Sequence, residues 1–223
     1  MSSGSSSEEV SSVELLQARN FLWHLAEDHV KDMALKCAID LGIPDIIHNH
    51  GGESIPLSKL IAALPIHPSK AHCVPRLMRI LVHHGFFVTT KKHHHQEEEE
   101  EEEEEEEYSL NVVSRLLLDE SPFIISMKPY VSVILSPKLI AVWGSMSAWF
   151  RNSDATLYGT VEGQSLHLCN EAMSNESKVI THAALKDCEE VFQGLKSLVD
   201  VGGGTGSMAK AITNSFPTSL HRV

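Results

Sequence analysis

The 223-residue sequence predicts a mainly α-helical N-terminal domain of winged-helix type, followed by the start of an α/β, Rossmann-like unit. Three observations carry that reading. Apolar residues recur at three- and four-residue steps over residues 22–41. Two further helical patterns lead into short β-branched and aromatic runs. Near the end, an apolar run meets a glycine-rich turn and another helical pattern.

Residues 1–12 are rich in serine and glutamate and read as a flexible tail. A long helix over about 13–41 follows, with Leu22, Leu25, Ala26, Val30, Met33, Ala34, Cys37 and Leu41 on one stripe. Gly42 is its expected stop, and Pro44 with Asp45 opens a short helix that Gly51 and Gly52 close. Pro56 starts a helix through Leu64, and Pro68 starts another that carries Leu77, Met78, Leu81 and Val82 to Gly85. Pro75 falls inside this last helix, where a proline costs about 3 kcal/mol unless the helix restarts, so a restart is expected there. Residues 86–90 (FFVTT) read as a strand and Tyr108, Ser109 and Leu110 as its return. Helix, helix and two-stranded wing make a winged-helix-like domain over 13–120.

Between the wing strands lies HHHQEEEEEEEEEEE, residues 93–107. Its eleven adjacent carboxylates repel one another and bury nothing, so it is expected to be a solvated insert in the wing. His93, His94 and His95 have no apolar scaffold to fix them, and no metal site is expected. Residues 121–190 form a helical linker and pocket region. Helices are expected at 112–118, 123–133, 138–150 and 174–190, punctuated by Pro122, Pro129 and Pro137. The last carries a stripe of Val179, Ile180, Ala183, Ala184 and Cys188.

Composition narrows the function classes. The net charge of -12 comes from 18 basic and 30 acidic residues, eleven of which are Glu97 to Glu107; without that block the balance is 18 against 19. The acidity is local. Arg76, Arg79, Lys91 and Lys92 offer little positive charge beside a glutamate-rich wing, so nucleic acid is not an expected partner. Cys37, Cys73, Cys169 and Cys188 show no CxxC and read as reduced thiols. The start lacks the apolar core of a signal peptide, and no run of about 18 apolar residues exists, so a cytoplasmic chain without a membrane span is expected.

Residues 191–223 carry the one motif with chemistry. LKSLVDV, residues 195–201, suits a buried parallel strand; Gly202, Gly203, Gly204, Thr205 and Gly206 follow, and a helix starts at Ser207. A strand, a glycine turn and a helix N-terminus form a cradle for a nucleotide-like ligand, or a tight βα turn that holds none. The dinucleotide spacing GxGxxG would need glycine at 207, where serine stands. The pattern is an acid, Asp200, then Gly202, Gly204 and Gly206 at alternate positions. It resembles the first motif of class I S-adenosylmethionine-dependent methyltransferases.

Four stretches extend the likeness: MALKCAIDLGIPDIIHNHGG, PLSKLIAALPIHPSKAHCVPRLMRILVHHGFF, NEAMSNESK and LVDVGGGTGSMAKAITNSFP. Together they resemble plant O-methyltransferases of the caffeate/(iso)flavonoid type, nearest the isoflavone branch. The resemblance implies a winged-helix-like dimerisation domain and a Rossmann-like methyltransferase domain. It implies S-adenosyl-L-methionine as cofactor, a small phenolic acceptor, and pairing as a homodimer or with related O-methyltransferases. Carried over by residue, it places Ser177, Asp200, Gly202, Gly203, Gly204 and Gly206 at the cofactor, Ser177 near its carboxylate. Met173 would pack on cofactor and acceptor ring, or be a plain core methionine. Trp143 would line the phenolic pocket, or be a plain core tryptophan.

The same likeness implies a C-terminally truncated copy, ending after the first βα unit. The family's ribose-binding acid would fall where Arg222 and Val223 stand, and its general-base histidine matches no position here. No catalytic residue is therefore assigned. Leu198, Val199, Val201, Ala211 and Ile212 are expected to lack packing partners. The chain alone is expected to be inactive, the alternative being a non-catalytic dimerisation partner of full-length relatives.

Overall fold

A computed structural model describes residues 10–51, 54–94, 103–120, 125–153 and 163–216. The first helix, α1 (Ser12–Asp40), opens on a capping box: the Glu14 N–H donates to Ser11 Oγ at 3.2 Å, and the Ser11 N–H donates to Glu14 Oε2 at 2.9 Å. It stops at Gly42, whose φ of 70° lets the chain turn directly into α2 (Ile43–Asn49). A two-residue strand β1 (Ile55–Pro56) leads into α3 (Leu57–Ala63). A 3₁₀ turn (Pro68–Cys73) then gives way to α4 (Val74–His83), which restarts with Pro75 in its first turn as expected.

The wing strands are β2 (Phe87–His94) and β3 (Glu103–Leu110). They pair antiparallel, and β1 adds to the far edge of β3, so the sheet order is β1-β3-β2. The third strand is not among the sequence expectations. The core lies where this sheet meets the helices: Ala38, Ile39, Ile43, Ile47, Ile55, Leu60, Met78, Leu81, Phe87 and Tyr108 are all buried.

Several expectations need correction. The glutamate run is not wholly a loop insert: Glu103 to Glu107 are strand residues, opposite His94, His93, Lys92, Lys91 and Thr90 in register. Lys91 stands opposite Glu106 across the ladder, where a cation offsets part of the mutual repulsion, and Glu105, Glu106 and Glu107 find hydrogen-bond partners. The Ser58 N–H donates to Glu105 Oε1 at 2.8 Å, Tyr108 donates to Glu106 Oε2 at 2.6 Å, and Ser54 donates to the buried Glu107. Residues 95–102 and the side chains of Lys92, His93, His94, Glu103 and Glu104 lie outside the described residues. Among the described residues, no group of His, Cys, Asp and Glu is placed to hold a metal.

On α1, the buried residues are Ala34, Leu35, Ala38 and Ile39, and of the expected stripe Leu22, Leu25 and Val30 stand exposed. The surfaces of α2, α4 and a later helix over Lys128–Ile134 cover only the C-terminal part of this 29-residue helix.

Helices beyond the wing are shorter than expected: α5 (Val112–Arg115), α6 (Lys128–Ile134), α7 (Pro137–Gly144) and α8 (Met146–Trp149). Each of Pro129 and Pro137 falls in a first turn. Lys128 bridges Asp119 at 2.6 Å and Asp45 at 3.2 Å, tying α6 to α2. A long helix α9 (Gly163–Asp187) precedes α10 (Glu189–Phe192) and α11 (Ser207–Ser215). On α9, Ile180, Ala183 and Cys188 just beyond it are exposed, so the expected stripe is not a buried face.

The expected strand at 195–201 does not form. The described residues hold one sheet, the wing, and the apolar run has no neighbouring edge to bond. Val199 and Val201 accordingly stand 81% and 91% exposed. Ile212, by contrast, is buried where α11 packs on α9, contrary to the expectation that it lacks a partner. No helix among the described residues is long and apolar enough to cross a membrane.

Candidate functional site

Residues 200–206 turn sharply because three alternating positions take left-handed backbone. Gly202, Gly204 and Gly206 have φ of 77°, 55° and 70°, which side-chain-bearing residues adopt only with strain. The Gly206 N–H closes the turn on the Gly203 carbonyl at 2.8 Å, and α11 starts at the next residue. Where a Cβ would stand on Gly202 or Gly204 there is open space. The backbone is bare there.

The opposite wall is α9. Asn170, Met173, Ser174 and Ser177 fall at spacings of three, four and seven, hence on one helical face. Loop and helix enclose a cavity of about 210 Å³, lined by these four together with Asp200, Gly202, Gly203, Gly204, Thr205, Ser207 and Met208. Asp200 is the one acidic side chain among the described lining residues. Its carboxylate folds onto the loop so closely that a Cβ on Gly203 would overlap it.

Hydroxyls join the two walls. Ser174 Oγ lies 3.0 Å from Ser207 Oγ, and Ser207 Oγ lies 3.1 Å from Thr205 Oγ1. Ser177 instead donates to the Met173 carbonyl of its own helix at 2.9 Å. The volume is below the roughly 300–1,000 Å³ of sites that enclose a drug-sized ligand, and suits one end of such a molecule.

Six of the eight sequence candidates meet at this cavity: Met173, Ser177, Asp200, Gly202, Gly203 and Gly204. Gly206 caps α11 and does not line it. Trp143 sits on α7, 46% exposed and outside the lining, whereas Met173 lines the cavity and is 49% exposed. Sequence reasoning missed Asn170, Ser174, Thr205, Ser207 and Met208. The signal was available for Asn170 and Ser174, which share the helical face of Met173 and Ser177.

Comparison with known proteins agrees with both parts of the chain. Residues 23–120 match the O-methyltransferase dimerisation domain, and residues 152–223 match the O-methyltransferase domain. A Vitis vinifera protein, trans-resveratrol di-O-methyltransferase, is 46% identical over 220 residues, covering 93% of this chain and 58% of that protein. The 8-hydroxyquercetin 8-O-methyltransferase of Mentha piperita is 45% identical over 215 residues, covering 92% and 58% respectively. The chain thus spans somewhat under three fifths of the length of the curated relatives it matches. Among solved structures, human N-acetylserotonin methyltransferase in complex with SAM superposes with a TM-score of 0.61 at 17% identity, over 97% of this chain and 60% of that one, a likeness of fold. Taken together, the two matches and relatives at this identity say what the chain carries: an O-methyltransferase dimerisation domain over residues 23–120 and O-methyltransferase domain sequence over residues 152–223.

Proposed function

We propose that these residues belong to an S-adenosyl-L-methionine-dependent O-methyltransferase that methylates a phenolic hydroxyl of a flavonoid- or phenylpropanoid-like acceptor. The observation that carries the reading is the cavity between the glycine loop and α9. It offers bare backbone at Gly202 and Gly204, one acid at Asp200 and a set of hydroxyls. A zwitterionic amino-acid group joined to a sugar fits that donor set: Asp200 suits the ammonium, and the glycines admit the bulk. The bound cofactor would supply an electrophilic methyl group on a sulfonium. This chain's part is to bind and orient it, with Met173 and Met208 as the apolar walls.

The described lining holds no His, Lys or Tyr to accept a phenolic proton. A phenol with a pKa of about 10 is mostly protonated at neutral pH, and a missing base costs on the order of 10²–10⁴ in rate. The chain on its own is therefore proposed to bind cofactor and transfer methyl groups poorly. Calorimetric titration of the 223-residue chain with S-adenosylmethionine tests this. Saturable one-site heat is expected; no heat at high protein concentration would reject the reading.

A second reading, a non-catalytic pairing partner of related O-methyltransferases, draws on a separate observation. Phe21, Leu22, Trp23 and Leu25 on α1 are each more than half exposed, an apolar surface of the kind that marks protein contacts. Co-expression with a full-length relative and size-exclusion chromatography would reject that reading if no mixed species eluted.

A further inference from the structure

Resting on the cofactor reading above, the hydroxyl geometry says which residues take the cofactor's carboxylate. The family resemblance puts Ser177 there. Yet Ser177 commits its only proton to the Met173 carbonyl at 2.9 Å, so toward the cavity it offers lone pairs. A carboxylate is an acceptor and needs donors.

Three other lining hydroxyls have the opposite balance. Ser174, Ser207 and Thr205 form a chain centred on Ser207, with separations of 3.0 and 3.1 Å. Three hydroxyls carry three protons, and two hydrogen bonds within the chain use two of them. Among the described residues no backbone carbonyl takes the third. One O–H is left to point at a ligand, and the chain can send it from any of its members by rotating the hydroxyls. Asp200 on the same cavity provides the complementary acceptor for an ammonium.

We infer that the Ser174–Ser207–Thr205 hydroxyl chain, with Ser207 at its centre, receives the carboxylate of the cofactor's amino-acid end, and that Ser177 does not. These are positioning residues for a bound ligand. Ser207 stands where a dinucleotide fingerprint would require glycine, and the bare backbone of a glycine would leave Ser174 and Thr205 unlinked.

The test compares two ligands that differ only in that group: S-adenosylmethionine and its decarboxylated form. Each is titrated calorimetrically into the wild-type chain and the Ser207→Ala, Ser174→Ala, Ser207→Thr and Ser177→Ala variants, with a thermal melt of each to verify folding. A charge-assisted hydrogen bond predicts that wild type prefers the carboxylated ligand, and that Ser207→Ala shrinks the preference by about tenfold. Ser207→Thr should restore it, Ser174→Ala should reduce it in part, and Ser177→Ala should leave the ratio intact. Should Ser207→Ala fail to fold, Ser174→Ala carries the decision. An undiminished preference in both the Ser207 and Ser174 variants, or its loss in Ser177→Ala, would overturn the inference. Wild type binding both ligands equally would overturn it while leaving the cofactor reading standing; binding neither would overturn both.

Discussion

The carboxylate of Asp200 lies against the backbone of Gly203, where any Cβ would overlap it. Gly203 itself does not have positive φ, so alanine meets no backbone strain there. The substitution Gly203→Ala should therefore displace Asp200 and leave the loop folded. Affinity for S-adenosylmethionine should fall by about tenfold, the worth of one charge-assisted hydrogen bond, with little change in melting temperature. Gly204→Ala is the contrast: a Cβ there meets open space, but a φ of 55° imposes about 1–2 kcal/mol of strain. It should lower the melting temperature. If both variants lost affinity and stability alike, the contact between Asp200 and Gly203 would have no separate role.

Tyr108 gives the fold an alkaline limit. It is 1% exposed and donates to Glu106 Oε2 at 2.6 Å. Burial, then the neighbouring Glu106 carboxylate, pushes its pKa well above the ordinary tyrosine value. A raised folded-state pKa means the stabilisation is complete below the unfolded value of about 10 and is lost as pH climbs past it. Lys128 adds to the same window: burial pulls its pKa down, but hydrogen bonds to Asp119 and Asp45 outweigh this and leave it raised. Urea midpoints at pH 8, 9, 10 and 11 should show wild type declining above pH 10. Tyr108→Phe should start lower and decline less, so the gap between them narrows; a constant gap would contradict the account.

The wing glutamates that fold into β3 should differ in weight. Glu107 is 4% exposed and accepts from the half-buried Ser54, so Glu107→Ala removes that bond from a buried position and should cost about 1–3 kcal/mol. Glu105 accepts from the Ser58 N–H in the first turn of α3, and Glu105→Ala should cost about 1 kcal/mol, as a lost helix cap does. Urea unfolding orders them. If both variants matched wild type, the run would behave as the solvated insert that its charge alone suggests.

That contrast shows what could and could not be read in advance. The stop at Gly42, the restart at Pro75 and the inner wing strands were legible because each rests on a local backbone rule: a left-handed glycine, a proline in a first turn, β-branched runs. Strand membership of Glu103 to Glu107 was not, since it draws on partners such as Lys91 and Ser54, which lie up to 53 positions away in sequence. The run at 195–201 had strand-like composition, but a strand exists only beside another edge. In the site, glycine spacing pointed to the loop. The hydroxyl link from Ser174 to Ser207 joins residues 33 apart, and no spacing rule announces it.

The N-terminal half of α1 should be the surface through which the chain self-associates. The dimerisation match begins at residue 23, inside this helix, and Leu22 and Leu25 are 62% and 60% exposed. Trp23 beside them has the Arg19 guanidinium 4.7 Å from its ring, covering one face. Burying one leucine side chain contributes about 1.5–3 kcal/mol. Placing charge at two such positions, Leu22→Asp with Leu25→Asp, should weaken association by at least about a hundredfold. Neither side chain supports the core of its own chain, so the urea midpoint of the dissociated protein should hold. Light scattering at micromolar concentration should report a dimer mass for wild type and a monomer mass for the double variant. An unchanged dimer mass in the variant would place the interface elsewhere on the chain.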